Sequence, residues 1–354
     1  MRKEMDSALI HLSINHARWA FDILNNTNPS LSLCNINANA TTLMYIINLI
    51  FVPLICAYSI VGNFYAVLTF RSNPFCASPE SSLLSGLAIC DLLLTVFSLH
   101  LTLKYLSIYL RSEILALARS HIELLMYYLG HVAKIAGDYF TVFIVLEKYC
   151  RLRRPTAALT RLTNKYLAIG VVLLSLLFKL PKLFEFKSIA VPECTGYAQY
   201  VVVYTNLGLN QLYSVLYGVW LSPIVDMCVP YCSMLVLNCL LMKLIWNRQS
   251  AYSSPNYSPL ESREMLLNVV ALSCLFLACA LPDFILAVIE AYQISLLQDN
   301  FDIYLILSDM INLLVLANSA NNFTINCIFV AQLRKRIKQD LYAACWFGNH
   351  LTSL

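Results

Sequence analysis

Asp91, Lys134, Asp138, Asp226, Asp283 and Asp309 are ionisable residues set inside long apolar stretches. A charge in such surroundings is costly, so it marks a functional candidate that pairs with another charge, lines an ion path or meets a ligand. Lys134 and Asp138 stand four residues apart, on one face of a helix, where they can pair. Asp226, Asp283 and Asp309 fall in three separate stretches. A buried carboxylate is the natural partner of a guanidinium, which it grips through two parallel hydrogen bonds. Two readings stay open. Either these carboxylates, with Tyr127 and His131 beside them, receive a cationic ligand group, or Lys134 and the Asp residues neutralise one another between helices. Nothing comparable suggests catalysis or a metal. Of six histidines only His100, His121 and His131 lie near apolar stretches, with no HExxH, and thirteen cysteines form no CxxC pair. The expectation is a chain that is not an enzyme and holds no metal centre.

The elements that position these residues follow from composition. With 59% hydrophobic residues, 12% charged and a mean hydropathy of +0.66, the 354-residue chain has too little charge to cover a water-soluble surface. A net charge of +4 gives no case for nucleic acid. Apolar runs at 43–70, 82–108, 122–150, 166–190, 215–246, 264–292 and 303–331 predict seven membrane-spanning helices, parted by short polar, turn-rich breaks. Residues 188–218 mix Tyr and Val with Pro192, Glu193 and Cys194, which suits a hairpin lid before the fifth helix. Charges interrupt any leader-like apolar run in residues 1–41, so no cleavable signal is expected there. Thirteen Lys and Arg fall in the loops and tail of one side and eight on the other. By the positive-inside rule the N-terminus lies outside and the C-terminus in the cytoplasm of a multi-pass protein. Outside, the sequons at Asn25 and Asn39 are glycosylation acceptors, while Asn28-Pro29-Ser30 is blocked by its proline.

The polar residues inside the runs occur in a telling order. Gly62-Asn63 stands in the first, Leu87-Ala88-Ile89-Cys90-Asp91 in the second and Glu147-Lys148-Tyr149 at the end of the third. Pro230 lies in the fifth, Phe276 and Cys279-Ala280-Leu281-Pro282 in the sixth, and Asn318-Ser319-Ala320-Asn321-Asn322-Phe323-Thr324-Ile325-Asn326 in the seventh. Over about 290 residues this order resembles the rhodopsin-like (class A) G-protein-coupled receptors. Leu180-Pro181-Lys182-Leu183-Phe184-Glu185, then Tyr213, Tyr217 and Trp220, and Val236-Leu237-Asn238 after Pro230, are similar to the invertebrate FMRFamide-type neuropeptide receptors.

The resemblance implies an all-α membrane protein, a seven-transmembrane helix bundle with a short amphipathic eighth helix. It implies an extracellular tail over 1–41, a seven-transmembrane domain over 42–331, and a cytoplasmic helix and tail over 332–354. The implied partners are the bilayer, a heterotrimeric G protein and an extracellular ligand, here a short amidated peptide. Its Arg would meet a pocket of Tyr127, His131, Lys134, Asp226, Asp283 and Asp309. Asn63, Asp91, Asn318, Ser319 and Asn322 correspond to a midplane polar cluster that holds either a sodium ion or water. Glu147, Lys148 and Tyr149 correspond to the G-protein-coupling triplet. Cys345, beyond the basic helix at 332–342, is either palmitoylated or an unmodified tail cysteine.

Several positions depart from the family. Gly137 stands where its third helix carries a serine, Lys148 replaces the coupling Arg, and Ala280 the toggle Trp. Asn238 and Asn326 replace two Tyr, and Phe323 the seventh-helix Pro. Glu123 occupies the third-helix position of the family's outer disulfide, which leaves Cys194 either bridged to Cys34 or free. Two alternatives follow: a receptor-shaped protein that does not couple to G proteins or, less favoured because repeats and paired glycines are lacking, a transporter.

Overall fold

The computed structural model describes residues 41–71, 81–153, 161–191, 196–249, 259–292 and 301–329, together with Arg334, Arg336, Ile337 and Gln339. Among them seven long helices run in chain order. They are α1 (Thr42–Arg71), α2 (Ser81–Tyr109), α3 (Glu113–Arg153), α4 (Arg161–Glu185), α5 (Gln211–Leu244), α6 (Pro259–Tyr292) and α7 (Phe301–Phe329). Strands β1 (Phe186–Ala190) and β2 (Tyr200–Tyr204) pair antiparallel between α4 and α5, with Phe186 opposite Tyr204 and Ala190 opposite Tyr200. Among the described residues six helices are long and apolar enough to cross a membrane. In α6 the apolar section, Ser273–Ile289, is shorter.

The helices pack side by side and turn large apolar residues outward. Leu54, Val61, Leu174 and Leu177 are exposed, while Asn63, Asp91, Glu147 and Lys179 are buried. This inversion is expected where hydrocarbon is the solvent and polar groups must find partners within the bundle. The buried apolar core is layered along α3. Phe140 and Ile144 pack with Leu83, Leu87 and Val171, and Val142 and Val145 pack with Met234, Leu241 and Phe276. Gly62 of α1 lets the Phe323 ring of α7 lie against the α1 backbone, since a Cβ there would come within 2.5 Å of it.

Two helices carry π-helical stretches, each just before a proline. Ile47–Phe51 precedes Pro53, and Ser214–Leu221 with Ile224–Cys228 surrounds Pro223 and leads to Pro230. Proline has no N–H to give to the carbonyl four residues back, so the helix widens locally to re-pair its backbone.

The expected boundaries shift in three places. α3 begins at Glu113, nine residues before the expected 122, because its charged first turns stay helical: Arg119 and Glu123 pair at 3.4 Å along one face. A three-residue turn at 110–112 joins it to α2, with Arg111 at φ 48°. α4 ends at Glu185, not 190, because residues 186–190 take up the strand pairing of the hairpin. α5 starts at Gln211 rather than 215, where Asn210 caps it by accepting from the Tyr213 N–H at 3.1 Å. Asn25, Cys34, Asn39, Cys194 and Cys345 lie outside the described residues, as does most of the expected eighth helix; its described members Arg334, Arg336, Ile337 and Gln339 are helical.

Candidate functional site

The centre of the bundle holds a hydrogen-bonded polar cluster built from α1, α2 and α7. Asn322 Nδ2 donates to Asp91 Oδ2 at 2.9 Å, and the Ser319 hydroxyl donates to the Asp91 carbonyl at 3.2 Å. Thr95 Oγ1 donates to the same carbonyl at 2.7 Å and meets Ser59 Oγ at 2.8 Å. Asn63 Nδ2 donates to Ser59 Oγ at 3.0 Å and to the Ser319 carbonyl at 3.3 Å. Asn318 faces the same region, its Oδ1 without a hydrogen-bond partner. Such a network ties three helices at one level, since each buried polar atom left unpaired costs about 1–3 kcal/mol. Ser59 and Thr95 belong to it although the sequence did not single them out.

One step further in, α3 and α6 are joined through charge. Lys134 Nζ lies 3.5 Å from Asp138 Oδ2 and 3.3 Å from Asp283 Oδ2. A cavity of about 30 Å³ separates this triad from the Asp91 cluster, lined by residues of both, with Gly137, Tyr231, Phe276 and Ala280.

Asp226 meets a partner the sequence left unpaired. Lys179 of α4, 2% exposed, is ion-paired with Asp226 Oδ2 and donates to Ser222 Oγ at 3.2 Å, and Ser222 Oγ donates to Asp226 Oδ2 at 2.6 Å. Asp226 sits in the π-helical stretch of α5, four residues before Pro230, whose missing N–H leaves the local backbone free to widen. Lys179 stands inside the fourth apolar run, but no spacing rule connects it to a residue 47 positions away. Asp309 is likewise held within the bundle, accepting from the Tyr105 hydroxyl at 2.6 Å and from Asn48 Nδ2 at 2.9 Å.

Tyr127 and His131 lie one helical turn apart on α3 with ring centroids 4.4 Å apart, and Tyr127 meets Phe186 of β1 edge-on at 5.7 Å. The hairpin is also fastened by charge: Arg119 Nη2 donates to the Tyr200 carbonyl at 3.1 Å. At the opposite end of α3, Glu147 is fully buried and pairs with Arg151 at 2.5 Å, Lys148 is buried, and the Arg153 guanidinium donates to the Tyr149 hydroxyl at 3.1 Å. The structure therefore gathers Asn63, Asp91, Ser319 and Asn322 into one cluster, with Asn318 at its edge. Lys134 joins Asp283, and Asp226 and Asp309 go to separate partners. No group of His, Cys, Asp and Glu among the described residues has the geometry of a metal centre.

Apolar-faced helices around buried polar and charged networks define a multi-pass helical membrane protein. The sequence profile described as 7 transmembrane receptor (rhodopsin family) matches residues 62–323, and the chain belongs to that family, whose members are receptors and not enzymes. It is also similar to the FMRFamide receptor of Drosophila melanogaster, 25% identical over an alignment 297 residues long that covers 81% of this chain. The match covers 52% of that relative, so the chain spans about half its length.

Proposed function

We propose that this chain is a plasma-membrane receptor that binds a short amidated peptide on the side of the β1–β2 hairpin and passes a helix rearrangement to a heterotrimeric G protein on the other. The observation that carries the reading is the similarity to the Drosophila FMRFamide receptor, over most of this chain. The outer side is assigned to the hairpin end because Lys and Arg gather at the opposite end. On this topology residues 1–41 form an outer tail glycosylated at Asn25 and Asn39, residues 42–331 the seven-helix domain, and residues 332–354 an amphipathic helix and tail on the inner leaflet, with Cys345 as lipid anchor. Cys194 and Cys34 are the outward cysteines available for a bridge.

The ligand chemistry follows from the charges. A peptide guanidinium reaching down past the paired rings of Tyr127 and His131 meets Asp283, whose present partner is Lys134. Taking Asp283 from Lys134 unfastens α3 from α6, the kind of two-state change a ligand drives by binding one arrangement better. Asp226 and Asp309 hold α5 and α7 in place around that pocket, through Lys179 and through Tyr105 and Asn48. Glu147, Lys148 and Tyr149 lie at the end of α3 that meets the G protein, with Glu147 and Lys148 buried in the present arrangement.

The test is a panel of amidated peptides on cells expressing the chain with a promiscuous G-protein reporter, followed by dose response on Asp283→Asn and Asp226→Asn. A response that Asp283→Asn weakens at least tenfold supports the reading, and unchanged potency on both variants for every active peptide removes the carboxylate contact. Lys148, Ala280, Asn238 and Asn326 favour a second reading, a receptor that binds but does not couple. Peptide binding to surface-expressed chain with a silent reporter would select it.

A further inference from the structure

We infer that the ammonium of Lys134 is the chain's own counter-ion for its central acidic cluster and stands in for the sodium ion that the family resemblance attaches to Asp91. The unpaired Asn318 Oδ1 at the cavity offers a sodium ion one oxygen, but the rest of the donor set fits the ion poorly. A cation needs converging oxygen lone pairs, and Gly137 stands at the position where the family's third helix carries a serine, while the Thr141 hydroxyl, which also lines the cavity, is turned to the Gly137 carbonyl at 3.0 Å. Asp91 is met by an N–H, as the Asn322 amide donates to its Oδ2 at 2.9 Å, and the Asn63 amide N–H groups hold two further oxygens, Ser59 Oγ and the Ser319 carbonyl. The adjoining cavity, about 30 Å³, has room for one or two waters. Its far wall already carries a positive charge, Lys134, within 3.5 Å of both Asp138 and Asp283. A second cation in that cavity would face the ammonium across low-dielectric surroundings, where like charges repel strongly.

A tethered charge differs from a mobile ion in one measurable respect. A bound ion stabilises the folded state by mass action and so depends on its concentration. Lys134 is present whatever the salt, and it joins α3 to α6 through Asp283 directly. Removing its charge leaves Asp138 and Asp283 without their cation and opens the cluster to an external one.

The experiment needs no peptide, so its outcome is separate from that of the ligand assignment. The thermal midpoint of the detergent-purified full chain is measured in sodium chloride and in choline chloride at equal ionic strength. Wild type is expected to unfold at the same midpoint in both. Lys134→Gln is expected to unfold lower in choline and to recover saturably with sodium, by about 3 °C once sodium is tenfold above its dissociation constant. A saturable rise with sodium in wild type that Asp91→Asn abolishes overturns the inference, as does a folded Lys134→Gln that ignores sodium. If Lys134→Gln fails to fold, the wild-type comparison still decides. Lys134→Gln with Asp283→Asn, which strands one carboxylate fewer, then supplies the variant measurement on the same criterion.

Discussion

The Lys179–Asp226 pair offers a sharp energetic test, because both partners sit in separate helices with little water. The Lys179 side chain is 2% exposed and that of Asp226 16%. Removing one member of a buried pair strands the other, at about 3–5 kcal/mol. Lys179→Met keeps the length of the side chain and removes only the charge. Ser222 still donates to Asp226 Oδ2 at 2.6 Å, which retains about 1 kcal/mol and places the expected loss near the lower bound, about 3 kcal/mol. Asp226→Asn loses less, about 2 kcal/mol, because an amide oxygen can still accept from Lys179. Lys179→Met combined with Asp226→Leu removes both charges together and should lie within about 1 kcal/mol of wild type, since a buried pair replaced by apolar groups is often neutral. Asp226→Leu alone strands Lys179 and should lose about 3 kcal/mol or more, so the cycle closed with it predicts a coupling of about 5 kcal/mol. Thermal unfolding of the purified full chain reads it, at about 2 °C per kcal/mol, as a fall of about 6 °C for Lys179→Met that the double variant largely restores. A double variant as unstable as the sum of the single ones, or a Lys179→Met midpoint equal to wild type, would refute the reasoning.

Other contacts give equally direct expectations. Gly62→Ala drives a Cβ to 2.5 Å from the Phe323 ring and should cost about 1–3 kcal/mol, with Phe323→Leu in the same chain recovering most of it in a thermal assay. Tyr105→Phe removes a 2.6 Å hydrogen bond to the Asp309 carboxylate, and an unfolding midpoint lowered by the equivalent of about 1.5–3 kcal/mol is expected. Arg119→Ala releases the Tyr200 carbonyl and leaves Glu123 without its helical neighbour, so amide hydrogen exchange should quicken across Phe186–Ala190 and Tyr200–Tyr204 while the helix cores stay protected. Exchange unchanged in both strands would show that the hairpin is fastened elsewhere.

Much of the architecture is written in local signals. The apolar runs predict the helices because spanning hydrocarbon takes about 20 apolar residues whatever the fold. Lys134 and Asp138 were legible as a pair because helical spacing alone puts them on one face. The start of α3 was not legible, because Glu113, Arg119 and Glu123 interrupt the apolar run, although charges at helical spacing prolong a helix beyond the lipid-facing part. The end of α4 was missed for the opposite reason: Phe186–Ala190 is apolar enough to read as helix, and only its pairing with Tyr200–Tyr204 makes it a strand.

The sequence by itself determined that this chain lives in a membrane, how many long apolar runs it has, and which few polar residues lie inside them. Those facts depend on composition and on spacing within one helix. Only the tertiary structure decided which charge answers which. Lys134 turns to Asp283, Lys179 to Asp226, and Asp309 to Tyr105 and Asn48, pairs that join separate helices. The physical reason is that a buried charge takes whichever opposite or polar group the packing brings within about 4 Å. That proximity is fixed by how helices lie against one another, which no spacing along the chain encodes.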